Sequence, residues 1–212
     1  GMIRFALRRA SNVHRQALSV DRAARERLSG HRGRVAWLTG LSGSGKSTLS
    51  DELDALFQKQ KYKIYVLDGD EIRGKDTEKL GFGYADVMIN NTRIANLCNE
   101  LRKEYDAIVV PVISPYNDIR LKVRGMLEPN FHLVYLKTDI QSLRDRDPKG
   151  LYAAADRGDI TDLIGYSDVN PYDEPSKAEI VIETGNHVLI DDSKKKLFDY
   201  INKVIFIDNF IY

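Results

Sequence analysis

Two hydrophobic patterns alternate along the chain. Short runs rich in Val, Ile and Tyr are separated by longer stretches in which apolar residues recur every three or four positions. The short runs are typical of strands, and the spacing in the longer stretches is typical of helices. We therefore predict five strands, at residues 34–39, 62–67, 107–112, 131–136 and 178–182.

The helical stretches lie between these strands. In the long stretch that begins at residue 85, Val87, Asn90, Ile94 and Cys98 share one face. We therefore expect Cys98 to be a core residue, and Asn90 to be either a satisfied core amide or a ligand contact. The other predicted helices follow residue 46 and span residues 118–127, 139–146, 151–157 and 193–204. Strands that alternate with helices predict an α/β fold, a parallel five-stranded sheet with helices on both faces.

Composition narrows the class of protein. The chain has 212 residues, a net charge of +1, 42% hydrophobic residues and one cysteine. These values predict one domain with an extra terminal segment, no internal disulfide and a cytoplasmic location. The near-neutral charge argues against a nucleic-acid partner. The longest apolar run, residues 107–113, is too short to span a membrane.

The first 33 residues form a basic segment ahead of the first strand. This segment carries eight arginines against Asp21 and Glu26. We interpret residues 1–33 as a helical arm that packs on the domain, with a capped helix at 22–28. A transit peptide and a subunit contact are the alternatives. The remaining residues, 34–212, are predicted to form the catalytic domain.

The strand at 34–39 leads into a stretch that fits the P-loop pattern at every fixed position. Its backbone N–H groups and the helix that follows are suited to binding phosphate. In this pattern Lys46 reaches the β- and γ-phosphates, and the Ser47 hydroxyl helps to hold Mg²⁺. The pattern therefore predicts ATP and Mg²⁺ as ligands. The predicted triphosphate-binding residues are Gly40, Ser42, Gly43, Ser44, Gly45, Lys46, Ser47 and Thr48.

Two carboxylates follow the second strand, at Asp68 and Asp70. The carboxyl edge of a parallel sheet is where ligands bind, so we predict that both serve the phosphate site. A GTPase would need a guanine-reading Asn-Lys-x-Asp, and residues 202–205 lack the aspartate. A binding module without catalysis is disfavoured because Lys46, Ser47 and both carboxylates are present.

Taken together, these segments resemble the adenylylsulfate (APS) kinase family, from about residue 19 to residue 184. Members transfer the γ-phosphate of ATP to the 3′-hydroxyl of APS, making PAPS for sulfate assimilation. The stretches that carry the resemblance are Gly-His-Arg-Gly at 30–33, the P-loop at 40–48, Leu-Asp-Gly-Asp at 67–70 with Arg73, Leu-Gly-Phe at 80–82, Asn90, Ile-Ser-Pro-Tyr at 113–116, and Arg-Asp-Pro-Lys-Gly-Leu-Tyr at 146–152.

The resemblance implies a P-loop kinase fold and a role for each matched residue. It implies that Asp68 and Asp70 are the acidic pair at the reacting phosphoryl group, and that Asp68 joins Ser47 at the metal. Ser114 matches a serine that is phosphorylated in some members. Arg146 and Lys149 belong to a mobile lid, around residues 146–175, that closes over ATP. The implied acceptor-binding residues are Arg73, Phe82, Asn90, Ile113 and Leu163. Family members are commonly dimers, so a homodimer is expected.

The chain departs from the family pattern at three acceptor-side positions. Val87 replaces an arginine, Leu163 replaces a stacking aromatic, and Asn117 replaces an arginine after Ser-Pro-Tyr. The expected partner is therefore APS or a related nucleotide. The alternative acceptor is another nucleotide-linked compound, for example a modified nucleoside diphosphate of polysaccharide synthesis.

Overall fold

A computed structural model describes residues 33–74 and 80–206. The predicted basic arm and its helix at 22–28 therefore lie outside the described residues, apart from Gly33. The strands are β1 (Arg34–Thr39), β2 (Ile64–Val66), β3 (Ala107–Pro111), β4 (Phe131–Lys137) and β5 (Ile180–Glu183). The helices are α1 (Lys46–Lys59), α2 (Gly69–Gly74), α3 (Tyr84–Leu101), α4 (Asn117–Leu127), α5 (Ile140–Arg146), α6 (Leu151–Asp156) and α7 (Ile190–Val204). None of these helices combines the length and hydropathy needed to cross a bilayer.

The five strands form one parallel sheet in the order β2-β3-β1-β4-β5. The predicted α/β fold is confirmed. β1 lies at the centre, where Val35 is paired with Ile108 of β3 and with Phe131 of β4. Because all strands run the same way, the loops that follow them meet at one edge of the sheet.

Two hydrophobic clusters cover the two faces of the sheet. Val35 and Trp37 point into the cluster that α3 and α4 complete. Their neighbours Ala36 and Leu38 point into the opposite cluster, which includes residues of α1 and α7. A side chain that is fully buried in such a cluster contributes about 1.5–3 kcal/mol. Burial on both faces explains why β1 and β3 are continuous apolar runs without alternation.

Cys98 of α3 lies in the first of these clusters, as predicted. Its side chain is fully buried. Burial disfavours the thiolate and raises the pKa of Cys98 to about 12. The thiol is therefore a packing group.

The second strand is shorter than the predicted range of 62–67. Lys61 adopts a left-handed conformation with φ of 63°, and the Tyr62 amide donates to the Phe57 carbonyl at 2.9 Å. Tyr62 therefore belongs to the turn after α1, where its ring packs on Phe57 and Phe206. The apolar pattern at 62 reflects core packing, so this part of the strand prediction was wrong.

Candidate active site

A cavity of about 990 Å³ lies at the carboxyl edge of the sheet. The loops after all five strands contribute to its wall. Loops after β2 and β3 lie on one side of the β1 loop, and loops after β4 and β5 lie on the other. This size is typical of pockets that bind small molecules.

The P-loop, residues 40–48, connects β1 to α1 along the floor of this cavity. Gly45 has φ of 104°, a left-handed conformation that favours glycine. The Ser44 amide donates to the Leu41 carbonyl at 3.0 Å, which closes the turn. Residues 42–48 all line the cavity, whereas Gly40 does not. The loop is thus placed to receive phosphates at the N-terminus of α1.

Lys46 is the first residue of α1, and its ammonium turns back over the loop. Nζ donates to the carbonyls of Gly40 at 2.6 Å and Leu41 at 3.1 Å. The pKa of Lys46 is lowered to about 8, mainly by burial; the charge of Asp70 opposes this shift, the charge of Lys149 adds to it, and Asp68 opposes it weakly. The group is mainly protonated at neutral pH, so a cation faces the phosphate site.

The two carboxylates after β2 have different surroundings. The Asp68 Oδ1 accepts the backbone N–H of Asp70 at 2.8 Å and of Glu71 at 3.3 Å, and so caps α2. Asp68 is not among the lining residues, whereas Asp70 lines the cavity and its side chain is 66% exposed. Asp70 is therefore the carboxylate placed to meet a substrate in the cavity, whereas Asp68 is partly engaged by the backbone of α2.

Ser47 is exposed and lines the cavity beside Lys46. No group of three or more His, Cys, Asp or Glu that could hold a metal lies within the described ranges. A Mg²⁺ that arrives with a nucleotide needs only one or two protein ligands, because phosphates and water supply the others. The Ser47 hydroxyl supplies an oxygen in the cavity and therefore suits this metal.

Arg146, at the end of α5, joins three parts of the cavity wall. Its guanidinium donates to the Gly43 carbonyl at 3.1 Å, to the Asn186 Oδ1 at 3.2 Å and to the Thr184 carbonyl. Arg146 thus links the P-loop to the loop after β5. Lys149 lies further out, where its Nζ is 3.6 Å from the Asp70 Oδ2.

On the other side of the P-loop, Arg73 and Phe82 form a second group. The Arg73 guanidinium stacks over the Phe82 ring, with 4.5 Å between its central carbon and the ring centroid. It donates to the carbonyls of Leu80, at 3.3 Å, and Gly81. Burial lowers the pKa of Arg73, and Asp70 and Asp86 oppose that effect. The Phe82 ring is 43% exposed and faces the cavity.

Ile113 and Leu163 also line the cavity, whereas Asn90, Val87 and Ser114 do not. Val87 is 1% exposed and packs in the core from the buried face of α3. Asn90 is 2% exposed, and its Oδ1 has no hydrogen-bond partner among the described residues. The Ser114 hydroxyl is fully buried and accepts the indole N–H of Trp37 at 2.9 Å.

Several lining residues were not identified from the sequence. Most of them follow β5 or lie within the segment 151–164, and apart from Asp162 and the motif residue Leu151 neither charge nor motif marks them. Tyr152 is a related case, because its buried hydroxyl donates to the Ser42 carbonyl of the P-loop at 2.7 Å. The position of β5 at the ligand-binding edge was the one usable signal. The additional lining residues are Leu49, Pro148, Leu151, Ile160, Asp162, Ile164, Thr184, Gly185, Asn186, Val188, Ile190 and Ser193.

The chain is similar in sequence to a family of known proteins. The adenylylsulphate kinase family model matches residues 32–183. An adenylyl-sulfate kinase of Bacillus pumilus is 35% identical over 186 residues, which cover 87% of this chain and 93% of that protein. The bifunctional enzyme NodQ of Rhizobium tropici is 40% identical over 185 residues, 87% of this chain. The match spans only 29% of NodQ.

One solved structure is similar to this chain in both fold and sequence. It is the Mycobacterium tuberculosis APS kinase CysC in complex with AMPPNP and APS. The TM-score is 0.70 at 33% identity, and the match covers 81% of this chain and 99% of that one.

Proposed function

The chain belongs to the adenylylsulphate kinase family, and on that basis we propose that it transfers the γ-phosphate of ATP to the 3′-hydroxyl of APS, giving PAPS and ADP. One observation carries this proposal. The P-loop with Lys46 and the Arg73–Phe82 pair line the same cavity, and Asp70 lines it as well. A donor phosphate on the loop and an acceptor nucleoside on Phe82 would therefore share one chamber.

The donor half of the site binds and orients ATP. The P-loop amides and Lys46 receive the phosphates. Arg146, held by Gly43, Thr184 and Asn186, fixes the wall between the P-loop and the loop after β5. Mg²⁺ would be held by Ser47 with support from Asp68, and it would neutralise charge on the phosphates.

The acceptor half brings a hydroxyl to the γ-phosphorus. Arg73 and Phe82 offer a cation and an aromatic face, and Ile113 and Leu163 offer apolar walls. As the acceptor oxygen forms its bond to the γ-phosphorus, the bond to the β,γ-bridging oxygen breaks and ADP departs. The hydroxyl proton passes to Asp70, whose carboxylate is exposed to the cavity. The ammonium group of Lys149, beside Asp70, stabilises the negative charge that develops on the transferred phosphoryl group.

A related nucleotide is the second candidate acceptor. Leu163 lies on the cavity wall where the family pattern has an aromatic side chain, so one face of an acceptor base would lack a ring. A modified nucleoside diphosphate could be phosphorylated by the same donor half. The homodimer expected from the family stays a prediction.

A coupled assay of ADP release distinguishes these acceptors. We would offer ATP and Mg²⁺ with APS, and in parallel with a panel of nucleoside diphosphates and their sugar derivatives. Turnover of APS above every other acceptor supports the proposal. If another nucleotide turns over at least tenfold faster than APS, the second candidate replaces it. If no acceptor stimulates ADP release, the proposed function is wrong.

Restoring a ring at position 163 should improve the use of APS. In the Leu163→Phe variant we expect the KM for APS to fall about tenfold, because stacking of a base on an aromatic ring is worth about 1–3 kcal/mol. The KM for ATP should stay unchanged. Leu121→Phe, at a half-exposed leucine of α4 away from the cavity, is the matched control. An unchanged KM for APS would argue against base stacking at this wall.

Val87→Arg would also restore a side chain of the family pattern, but it is a poorer test of how the acceptor is bound. Val87 is buried among apolar residues, so an arginine there would carry its charge into the core. Val87 does not line the cavity, although the family pattern has an acceptor-binding arginine at this position.

The lid prediction concerns residues 146–175. Within this segment Tyr152 and Ile164 are buried, and Tyr152 is bonded to the P-loop. We therefore expect the exchange of amide hydrogens to be fastest between these anchors, at residues 157–163, and to slow when an ATP analogue and the acceptor bind. Peptides from β1 serve as the control, since they should be protected in both states. Equal protection of 157–163 with and without ligands would rule out a lid.

A further inference from the structure

Arg120 is a buried arginine that no part of the mechanism above uses. It lies in the first half of α4 and is 4% exposed. Its Nε donates to the Ser114 carbonyl at 2.6 Å, and its Nη2 donates to the Asp173 carbonyl at 2.6 Å. Its Nη1 donates to the Asn117 Oδ1 at 2.8 Å. One planar group on α4 therefore holds two separate backbone carbonyls and the Asn117 side chain.

The points that Arg120 joins lead directly to the acceptor side of the cavity. Ser114 follows Ile113, which lines the cavity. Asp173 lies near the end of the 161–175 loop, which carries Leu163 and Ile164, and these two residues also line the cavity. The Asp173 amide in turn donates to the Pro115 carbonyl at 2.7 Å. The loop after β3 and the loop of residues 161–175 are thus fixed to each other next to Arg120.

Tyr172 extends this connection to the P-loop. Its ring lies under the Arg120 guanidinium, with 4.9 Å to the ring centroid. Its hydroxyl forms a hydrogen bond with the Thr39 Oγ1 at 3.0 Å, one residue before the P-loop. A Cβ placed on Gly165 would lie 2.3 Å from a methyl carbon of Leu41, so the 161–175 loop packs directly on the P-loop.

We propose that Arg120 is a positioning residue for the acceptor. It sets the distance between the Ile113 wall and the Leu163 wall, and through Tyr172 it fixes both walls relative to the P-loop. Arg120 does not line the cavity and touches no reacting atom. The inference rests on the proposed function for its kinetic readout, because it assigns a role in binding the acceptor.

Arg124 offers a matched control on the same helix, one turn further on. Its guanidinium pairs with the Glu179 carboxylate and donates to the Lys177 carbonyl at 2.8 Å. It also stacks over Phe131, with 5.1 Å to the ring centroid. It is held by a comparable set of contacts, but its partners lie outside the two loops that Arg120 joins, residues 113–116 and 161–175.

The test compares Arg120→Lys with Arg124→Lys in steady-state kinetics. Lysine keeps the charge and loses the fork that bridges the three acceptors. We expect Arg120→Lys to raise the KM for the acceptor at least about tenfold, since charge-assisted hydrogen bonds are lost. The KM for ATP should change less than about twofold, since the donor wall has its own contacts through Arg146. Arg124→Lys should lower the melting temperature by a similar amount and leave both KM values unchanged. An unchanged acceptor KM in Arg120→Lys, or an equal rise in Arg124→Lys, would overturn the proposal.

Tyr172→Phe keeps the test valid if Arg120→Lys fails to fold. It removes only the hydroxyl that reaches Thr39, and we expect a rise of about threefold in the acceptor KM. No rise would overturn the proposal in that case.

A second readout separates this inference from the proposed function. In the free protein, Arg120→Lys or Tyr172→Phe should speed amide hydrogen exchange at residues 113–116 and 161–175 together, whereas Arg124→Lys should leave both unchanged. If the wild-type protein phosphorylates no acceptor, the proposed function fails. The joint change in amide exchange at residues 113–116 and 161–175 still tests whether Arg120 connects these two segments. If the wild-type protein is active and the two segments respond independently, the positioning role fails alone.

Discussion

Replacing Lys46 with alanine should lower kcat by about 10³-fold, the upper end of the range for loss of one charge-stabilising group. The ammonium group is buried among the P-loop carbonyls of Gly40 and Leu41 and faces the phosphate site. In the phosphoryl-transfer transition state, charge spreads over the oxygens of the transferred group, and a fixed cation stabilises it there. Alanine removes this cation and is a strong helix former, so α1 should be retained.

The measurement is ADP release at saturating ATP and acceptor, with circular dichroism to confirm the fold. Lys59→Ala is the matched control, because Lys59 is an exposed lysine at the other end of the same helix. We expect normal turnover in that control. Near-normal turnover in Lys46→Ala would mean that this loop does not bind the reacting phosphate.

Replacing Asp70 with asparagine should lower kcat by about 10²-fold or more, while the KM for ATP changes little. Asparagine keeps the shape of the side chain and cannot accept the hydroxyl proton. Losses of this size are typical of removing a general base. The Asp70 carboxylate is exposed to the cavity and has the Lys149 ammonium at 3.6 Å, so it is positioned between the two halves of the site.

Glu71→Gln is the control for this substitution, since Glu71 is the next residue of α2 and is exposed. It should leave kcat unchanged. A defect of Asp70→Asn that is confined to the KM for ATP, and that excess Mg²⁺ relieves, would assign Asp70 to the metal.

The sequence was sufficient to predict the parts of this molecule that depend on a local pattern of residues. β1 and β3 are continuous apolar runs because helices cover both of their faces. The P-loop residues 42–48 line the cavity because the motif itself specifies a strand, a turn and a helix. Arg73, Phe82, Arg146 and Lys149 were placed through the family resemblance, and all four line the cavity.

What the sequence did not indicate depends on contacts between distant residues. Arg120 looks like one of three cations on a basic helix, together with Lys122 and Arg124. Its burial requires Ser114 and Asp173, which lie 6 and 53 residues away along the chain. Helix α2 was missed because Asp-Gly-Asp resembles a turn, and only the Asp68 cap on the amides of Asp70 and Glu71 identifies a helix start.

The order of the strands has a consequence for how such an enzyme can change its substrate. β2 and β3 lie on one flank of β1, and β4 and β5 lie on the other. Apart from the P-loop at 40–48 and the carboxylates at 68 and 70, most acceptor-side groups therefore come from residues 73–120, and most donor-side groups from residues 139–190. A recombination or a set of substitutions within the first block can alter the acceptor while the ATP machinery is inherited intact. The 161–175 loop is the exception, because it belongs to the second block and reaches back to the first. A transplanted acceptor block would have to fit this loop, and Arg120 lies at that junction.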